Sequence, residues 1–111
     1  MSRYIPDQGD IVYIDFDPAM GREIQKRRPA LVMSSQLMAK QTGFVLVCPI
    51  TSTRRGNKAE VDIDGDIIHG VAISIQVKSL DYRERQIEFV EKADRSAVAE
   101  MSMLLQKLVA I

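Results

Sequence analysis

Short apolar segments, separated by turn residues at close intervals, are the feature that most constrains the fold of this chain. The segments are rich in β-branched residues, and several alternate between apolar and polar positions, which is typical of strands. Turn signals occur at Asp17-Pro18, Gly56-Asn57 and Asp64-Gly65-Asp66. The pattern predicts a mainly β architecture, a small and strongly bent antiparallel sheet or barrel. The predicted strands cover residues 10–16, 29–34, 44–51, 58–63, 70–76 and 86–91, and residues 78–85 are interpreted as a charged connection.

Two helices complete the predicted architecture. A short helix over residues 35–41 is expected to begin at Ser34 or Ser35 and to end before Gly43. A C-terminal helix is expected to begin at Asp94 or Ser96. Its apolar stripe follows helical spacing and comprises Ala97, Val98, Met101, Leu104, Leu105, Leu108 and Val109.

Length and composition predict one globular domain that covers residues 1–111. The chain is 46% hydrophobic and 27% charged, which is ordinary for a globular protein. The single cysteine, Cys48, rules out an internal disulfide and favours the reducing cytoplasm. Because the first ten residues are polar and no apolar run approaches a membrane span of about 20 residues, we expect no membrane partner.

The charge is neutral overall but unevenly distributed. Between Arg22 and Lys58, eight basic residues stand against the single acid Glu23, an excess of seven positive charges. An excess of four acids follows in residues 59–69. A basic middle segment is the pattern expected of a surface that binds phosphates. The alternative is that folding returns the acids to the bases.

Two strand ends carry the candidate chemistry. Pro29 restricts Arg28 to an extended conformation at the start of one strand, and Thr51 ends another strand with a hydroxyl. A guanidinium offers a planar fork to phosphate oxygens, and a threonine hydroxyl can hold a third oxygen. The structural alternatives are a surface arginine beside a strand and a threonine at a strand end.

Several other mechanisms lack the residues they need. The single histidine, His69, excludes a two-histidine ribonuclease mechanism within one subunit. Asp62, Asp64 and Asp66 alternate into a turn but lack the remaining positions of a calcium loop. Cys48 lies among apolar residues and is interpreted as core. No glycine-rich phosphate loop is present. We therefore predict neither a metal site nor a cofactor.

Four segments, taken in order, resemble the MazF/PemK family of toxin endoribonucleases from type II toxin–antitoxin systems: DIVYIDFDPAMGRE, RRPALVMSS, VCPITST and GVAISIQVKSLD. The resemblance implies an SH3-like barrel of the MazF/PemK/CcdB type with a C-terminal helix. It also implies a homodimer, metal-independent and sequence-specific cleavage of single-stranded mRNA, and a cognate MazE/PemI-like antitoxin that covers the site. Attack by the 2′-OH would give a 2′,3′-cyclic phosphate and a 5′-OH.

Site residues follow from the resemblance and from the charge pattern. The resemblance gives Arg28 and Thr51 the catalytic roles. An arginine releases its proton too reluctantly to be a convincing general base, so Glu23 is the alternative base or, otherwise, a charge partner of Arg27 or Arg28. Gln76 is a candidate for reading a base edge. The predicted RNA-binding residues are Asp15, Arg22, Lys26, Arg27, Ser52, Arg54, Arg55, Lys58, Gln76 and Lys78.

Two departures from the family pattern lie in the first loop. Gly21-Arg22-Glu23-Ile24 replaces the common Gly-Ser-Glu-Gln, and Lys26-Arg27 precedes Arg28. They affect the loop conformation and base preference more than the chemistry. Two other functions stay open: a toxin of the same fold that acts on a protein such as DNA gyrase, and a non-catalytic nucleic-acid-binding barrel. The absence of Trp and the aliphatic C-terminal end disfavour the gyrase alternative.

Overall fold

The computed structural model describes residues 3–111 as a strongly curled antiparallel sheet of seven strands, with a helix at each of two positions. A long helix follows the last strand and packs on one face of the sheet. Among the described residues, no helix is long and apolar enough to cross a membrane. The elements are β1 (Asp10–Asp15), β2 (Arg27–Val32), α1 (Gln36–Thr42), β3 (Phe44–Thr51), β4 (Glu60–Asp64), β5 (His69–Ile73), β6 (Lys78–Asp81), β7 (Glu88–Lys92) and α2 (Arg95–Leu108).

β3 is the central strand, and the other strands are arranged around it. The sheet order is β4-β5-β3-β2-β1-β7, and β6 also pairs with β3. One edge of β3 pairs with β2, while the other edge pairs with β6 through Phe44–Val47 and then with β5 at Ile50 and Thr51. Because one strand serves two successive partners along the same edge, the sheet must bend along β3. Its eight residues include five fully or almost fully buried positions.

Both faces of the curled sheet are buried, in two separate apolar cores. Successive residues point to opposite faces, so Ile11 and Leu31 enter one core while Val12 and Val32 enter the other. α2 covers the first core through Ala97 and Met101, as its predicted apolar stripe requires. Because both faces of the sheet are buried, several strands have apolar residues at consecutive positions and do not alternate between apolar and polar residues.

The sequence-based predictions agree with the order of most elements but differ in several bounds, and β4 and β7 each begin two residues later than predicted. Ser35 caps α1 by accepting the Met38 N–H at 3.2 Å, and Gly43 ends it in the left-handed region at φ 77°. Asp94 is the residue before α2 but makes no side-chain capping bond. β2 begins at Arg27, two residues before the predicted start, because the β1–β2 ladder continues to the Asp15–Arg27 pair.

The stretch after β5 is where the predictions were wrong. The strand expected to run to Gln76 ends at Ile73, and residues Ser74–Gln76 form a 3₁₀ turn. The predicted charged connection then contains β6, in which Leu80 is buried, followed by the 3₁₀ turn Tyr82–Glu84. The 3₁₀ turn Ser74–Gln76 is needed because the chain must leave the β4–β5 hairpin there and return as β6 to pair with the first half of β3.

Candidate RNA interface and active site

The ends of β2 and β3 bring Arg28 and Thr51 to one edge of the sheet. The two strands pair antiparallel with Ala30 opposite Pro49. Arg28 lies two residues before Ala30, and Thr51 lies two residues after Pro49, so both lie just beyond the same end of the β2–β3 ladder. Since antiparallel partners share a face, and side chains two residues apart return to the same face, we expect both side chains on the side of Ala30.

The Arg28 guanidinium is held at one nitrogen only. Its Nε donates to the Gln25 carbonyl at 3.1 Å, and the side chain is exposed. Among residues 3–111, no hydrogen bond or ion pair engages its two terminal nitrogens. Pro29 restricts the backbone of Arg28, so the fork is oriented by its neighbours while its ends stay available for an anion.

The Thr51 side chain is half-buried at the end of β3. Its Oγ1 accepts the Thr53 N–H at 3.2 Å, which leaves its own proton free to donate. β5 passes so close that a Cβ added to Gly70 would lie 2.3 Å from the Thr51 carbonyl oxygen. Only glycine fits there, and the resulting close packing fixes the end of β3 that carries the hydroxyl.

The loop between β1 and β2 is tied to the 3₁₀ turn that follows β5. Ile24 N–H donates to Gln76 Oε1 at 2.7 Å. Glu23 Oε1 accepts the Met20 N–H at 2.8 Å and lies 3.3 Å from Lys78 Nζ. The Met20 hydrogen bond first, and Lys78 second, lower the pKa of Glu23 from its ordinary value, so this carboxylate is charged at neutral pH. Its ionic partner is Lys78, which is neither of the two arginines considered from the sequence.

The loop between β3 and β4 is stabilised by two acids of β4. The Glu60 carboxylate accepts the N–H groups of Arg55 and Gly56 at 2.8 and 2.9 Å. Asp62 pairs with the side chain of Arg54, which also donates to the Gly70 carbonyl at 3.4 Å. Folding therefore does bring acids beside this basic segment. Asp62 pairs with one basic side chain, that of Arg54, whereas Glu60 binds the loop backbone and leaves the basic side chains free to bind a ligand.

Some predicted RNA-binding residues converge, and others are used within the fold. Arg22, Glu23, Arg55 and Gln76 line one pocket of about 620 Å³ between the two loops. Arg27 contacts Asp15 at 3.3 Å and the Gln86 carbonyl at 2.6 Å. Ser52 is exposed directly after Thr51. Within the described chain, five of the predicted RNA-binding residues have side chains without a protein partner: Arg22, Lys26, Ser52, Arg55 and Lys58.

Comparison with known proteins decides which family has this arrangement. The family model described as "PemK-like, MazF-like toxin of type II toxin-antitoxin system" matches residues 7–109. The chain belongs to this PemK/MazF family. It is 42% identical over 85 residues to the endoribonuclease toxin MazF of Escherichia coli K12, which is 77% of each chain. It is 36% identical over 109 residues to the endoribonuclease toxin ChpB of the same strain, which is 93% of each.

Solved structures of the family show the same fold. A crystal structure of MazF from Deinococcus radiodurans superposes with a TM-score of 0.93 at 34% identity, over 98% of this chain and 100% of that one. A MazE–MazF structure from the same organism gives a TM-score of 0.85 at 32% identity, over 98% and 99%. The curled sheet with a C-terminal helix is therefore the MazF fold, as the resemblance implied.

Sequence reasoning missed part of the pocket that this MazF-like fold forms. Asn57, Glu60, Ile73 and Ile75 line it together with the predicted residues. Asn57 was interpreted only as a turn signal. Ile75 was placed in the strand predicted over residues 70–76, and the 3₁₀ turn instead leaves this residue 64% exposed. Only recognition of that turn would have identified the position.

The residues that were set aside from the sequence lie away from this pocket. Cys48 is fully buried, and burial raises the pKa of its thiol to about 12, so it is no thiolate at neutral pH. His69 is exposed at the start of β5, with Nδ1 2.9 Å from Asp64. Across residues 3–111, no three His, Cys, Asp or Glu side chains are grouped so as to hold a metal ion.

Proposed function

We propose that this member of the PemK/MazF family is a sequence-specific endoribonuclease that cleaves single-stranded mRNA and thereby inhibits translation. The observation that carries the proposal is that Arg28 and Thr51 lie just beyond the same end of the β2–β3 ladder, and that no hydrogen bond within residues 3–111 engages the terminal guanidinium nitrogens of Arg28. The relatives MazF and ChpB of Escherichia coli are named endoribonuclease toxins. No feature of the chain favours the protein-directed or the non-catalytic alternative over this one.

The chemistry needs little more than positioned charge, because the RNA carries its own nucleophile. The 2′-oxygen attacks the adjacent phosphorus while a base takes its proton, and intramolecular attack removes much of the entropic barrier. The P–O5′ bond then breaks, and the 5′-oxygen gains a proton. The products are a 2′,3′-cyclic phosphate and a 5′-OH, and no metal-bound water is required.

Arg28 and Thr51 stabilise the crowded, doubly charged phosphorane in this mechanism. The two free nitrogens of Arg28 donate to two phosphate oxygens as a planar fork. The Thr51 hydroxyl, whose oxygen already accepts the Thr53 N–H, donates its proton to a third. Donors that are held in place before the reaction are worth more than mobile ones because little reorganisation occurs as the charge develops.

Glu23 is the proposed general base, although its lowered pKa makes it a weak one in the free protein. Its Oε2 has no partner among the described residues, so it can accept a proton. However, the Met20 N–H and Lys78 lower its pKa, and an efficient base has a pKa near the working pH. A substrate that draws Lys78 to its phosphates would weaken one of these two stabilising contacts and bring the pKa back up.

RNA binding is proposed to depend on the basic side chains around the two loops. Arg22, Lys26, Arg55 and Lys58 lack partners in the described chain and are suited to phosphates. Lys78 and Arg54 are partly neutralised by Glu23 and Asp62, but each keeps N–H groups that can donate to a phosphate. Asp15, Arg27, Ser52 and Gln76 complete the predicted set. Affinity should therefore fall steeply with salt, as counterions are released from the bound phosphates.

We also propose a homodimer, in which α2 contributes to the subunit interface. α2 exposes Met103 and Leu108, and the following residue Val109 is 78% exposed. An apolar groove of about 400 Å³ runs beside them between α2 and the sheet. A small domain gains stability when a second copy covers such a surface. Light scattering of the purified protein at micromolar concentration should give twice the chain mass, and a monomer would contradict the proposal.

The proposed partner in the cell is an acidic MazE/PemI-like antitoxin in the cytoplasm. MazE–MazF complexes are known for the Deinococcus radiodurans relative. A disordered acidic segment that folds onto the basic loops would occupy the positions of RNA phosphates. The lone buried thiol of Cys48 supports a reducing compartment. Cleavage that continues in a saturated antitoxin complex would refute the idea of a covered site.

One experiment tests the proposed activity directly. Purified protein is incubated with a long single-stranded RNA in the presence of a chelator, and the new ends are analysed. We expect discrete fragments with 2′,3′-cyclic phosphate and 5′-OH ends. Replacing the ribonucleotide 5′ of a cut by its deoxy form should abolish cleavage and leave binding largely intact, because it removes the nucleophile. Cleavage of the deoxy substrate, or loss of activity with chelator, would overturn this mechanism.

A further inference from the structure

The pocket between the two loops has an apolar floor that the proposed catalytic groups do not use. Ile75 is a large aliphatic residue with 64% of its surface exposed, and Ile73 is half-buried beside it. Both line the pocket of about 620 Å³, together with Arg22 and Arg55. A volume of this size lies within the range of small-ligand sites. An apolar floor below two cationic side chains fits a flat ring that is attached to a phosphate.

Two amide side chains at the rim are oriented by the protein backbone. Gln76 Oε1 accepts the Ile24 N–H at 2.7 Å, and Asn57 Oδ1 accepts the Ala59 N–H at 2.9 Å. A backbone N–H requires the amide oxygen opposite it, so the identity of each amide end is assigned by these contacts. Both NH₂ groups are consequently turned away from the backbone, and neither has a partner among the described residues.

The acceptors that line this pocket are already occupied, whereas its donors are free. Each Glu60 oxygen accepts a backbone N–H, and Glu23 Oε1 accepts Met20 N–H and faces Lys78. Glu23 Oε2, the candidate base, is the exception. Beside that one carboxylate oxygen, the side-chain groups left to meet a ligand are two amide NH₂ groups and two guanidinium groups, so the pocket offers mainly hydrogen-bond donors to a ring edge.

We propose that this pocket binds one nucleobase of the RNA and selects uracil or guanine there. The base lies with one face on Ile75, and Asn57 and Gln76 donate their NH₂ groups to two acceptors on its edge, which are O2 and O4 of uracil or O6 and N7 of guanine. Cytosine has an amino group in place of O4, and adenine has one in place of O6, so one of the two donors would face a donor and stay unpaired. This inference rests on the proposed endoribonuclease function and names a specificity-determining site within it.

Two substitutions reverse the hydrogen-bonding character of the rim without releasing the loops. Asn57→Asp and Gln76→Glu each keep the oxygen that accepts the backbone N–H, and each replaces the free donor by an acceptor. Ile75→Ala removes the apolar floor and leaves the rim unchanged. Gln41→Glu makes the same chemical change on the exposed side of α1 and serves as the matched control.

The readout is the base preference at every position around the cut. An RNA pool with a randomised segment is cleaved to low conversion, and the 5′-OH fragments are sequenced. We expect wild type to favour uracil or guanine at one position. Each of Asn57→Asp and Gln76→Glu should reduce that preference at least about tenfold relative to adenine or cytosine, since one well-placed pair is worth about 1–3 kcal/mol of discrimination. Ile75→Ala should raise KM without changing the preferred base.

The possible results separate the inference from the function on which it rests. If wild type cleaves RNA and both rim variants, folded by circular dichroism, keep its preference at every position, the base pocket is wrong while the endoribonuclease function stands. A wild-type preference for adenine or cytosine at the position that the rim variants alter would also overturn it. If wild type cleaves no RNA, the proposed function fails, and the base pocket fails with it.

Discussion

Replacement of Arg28 by alanine is the change that most directly tests the proposed mechanism. Within the described chain, the side chain makes a single hydrogen bond, from Nε to the Gln25 carbonyl at 3.1 Å, at an exposed position. Loss of one such exposed bond should lower the free energy of unfolding by at most about 1 kcal/mol. The strand itself is retained because Ala30, Leu31 and Val32 supply its buried contacts.

The effect on cleavage should be far larger than the effect on stability. Both terminal nitrogens of Arg28 are free to bind the phosphorane, and removal of one preorganised donor typically costs about 10²–10³ in rate, or about 2.7–4 kcal/mol. We therefore expect Arg28→Ala to lower the single-turnover cleavage rate by at least that factor. Arg28→Lys should restore little, because a point charge cannot reproduce the two parallel hydrogen bonds of the fork.

The assay compares single-turnover rates on a labelled oligonucleotide at saturating enzyme, so that weaker binding does not contribute. Arg95→Ala, which removes an exposed arginine at the start of α2, is the matched control and should cleave at the normal rate. Circular dichroism and light scattering establish that the Arg28 variants are folded. A folded Arg28→Ala protein that cleaves RNA at the wild-type rate would refute the catalytic role and, with it, the mechanism.

Three further predictions concern single side chains. Thr51→Val should reduce the cleavage rate in the same assay, whereas Thr51→Ser, which keeps the hydroxyl, should retain more of it. Glu23→Gln should flatten the acidic limb of the pH–rate profile if Glu23 is the base, and an unchanged profile would exclude that role. Glu91 accepts the N–H groups of Asp66, Ile67 and Ile68, so Glu91→Gln should lower the free energy of unfolding by about 1–3 kcal/mol in a urea titration. Burial acts to raise the pKa of Glu91, but the three N–H donors outweigh it and lower the pKa below its usual 4.5. The stabilisation is therefore fully present above pH 4.5 and is lost as the pH falls through the lowered pKa. Equal stability of Glu91→Gln and wild type at pH 7 would contradict this account.

The sequence predicted the parts of the fold that depend on periodicity and local turn chemistry. Alternation identified β1, and the serine–glycine pair identified α1, because Ser35 and Gly43 act within a few residues of their own positions. The strand-end positions of Arg28 and Thr51 were also predictable, since each lies beside an apolar run, while their roles stay predictions. The two strand ends lie at the same end of the sheet because β2 and β3 are consecutive antiparallel strands joined through one short helix.

What the sequence did not reveal depends on contacts between distant segments. β6 was missed because only Leu80 marks it as a buried strand, and its pairing partner lies more than thirty residues earlier in β3. The partner of Glu23 was missed for the same reason, because Lys78 follows it by 55 residues. Local propensity contains no information about such pairs, and a charge excess gives no indication of which charges are neutralised.

The same hydrogen bonds shape the loops and set what the pocket can bind. The side-chain oxygens of Gln76 and Asn57 accept hydrogen bonds from backbone N–H groups, and both carboxylate oxygens of Glu60 do the same. The amide NH₂ groups of Gln76 and Asn57 point away from these contacts and have no partner among the described residues. In a pocket that already contains Arg22 and Arg55, this adds neutral donors to positive charge. Loop architecture and preference for an electron-rich, phosphate-linked ligand are thus two consequences of one hydrogen-bond pattern.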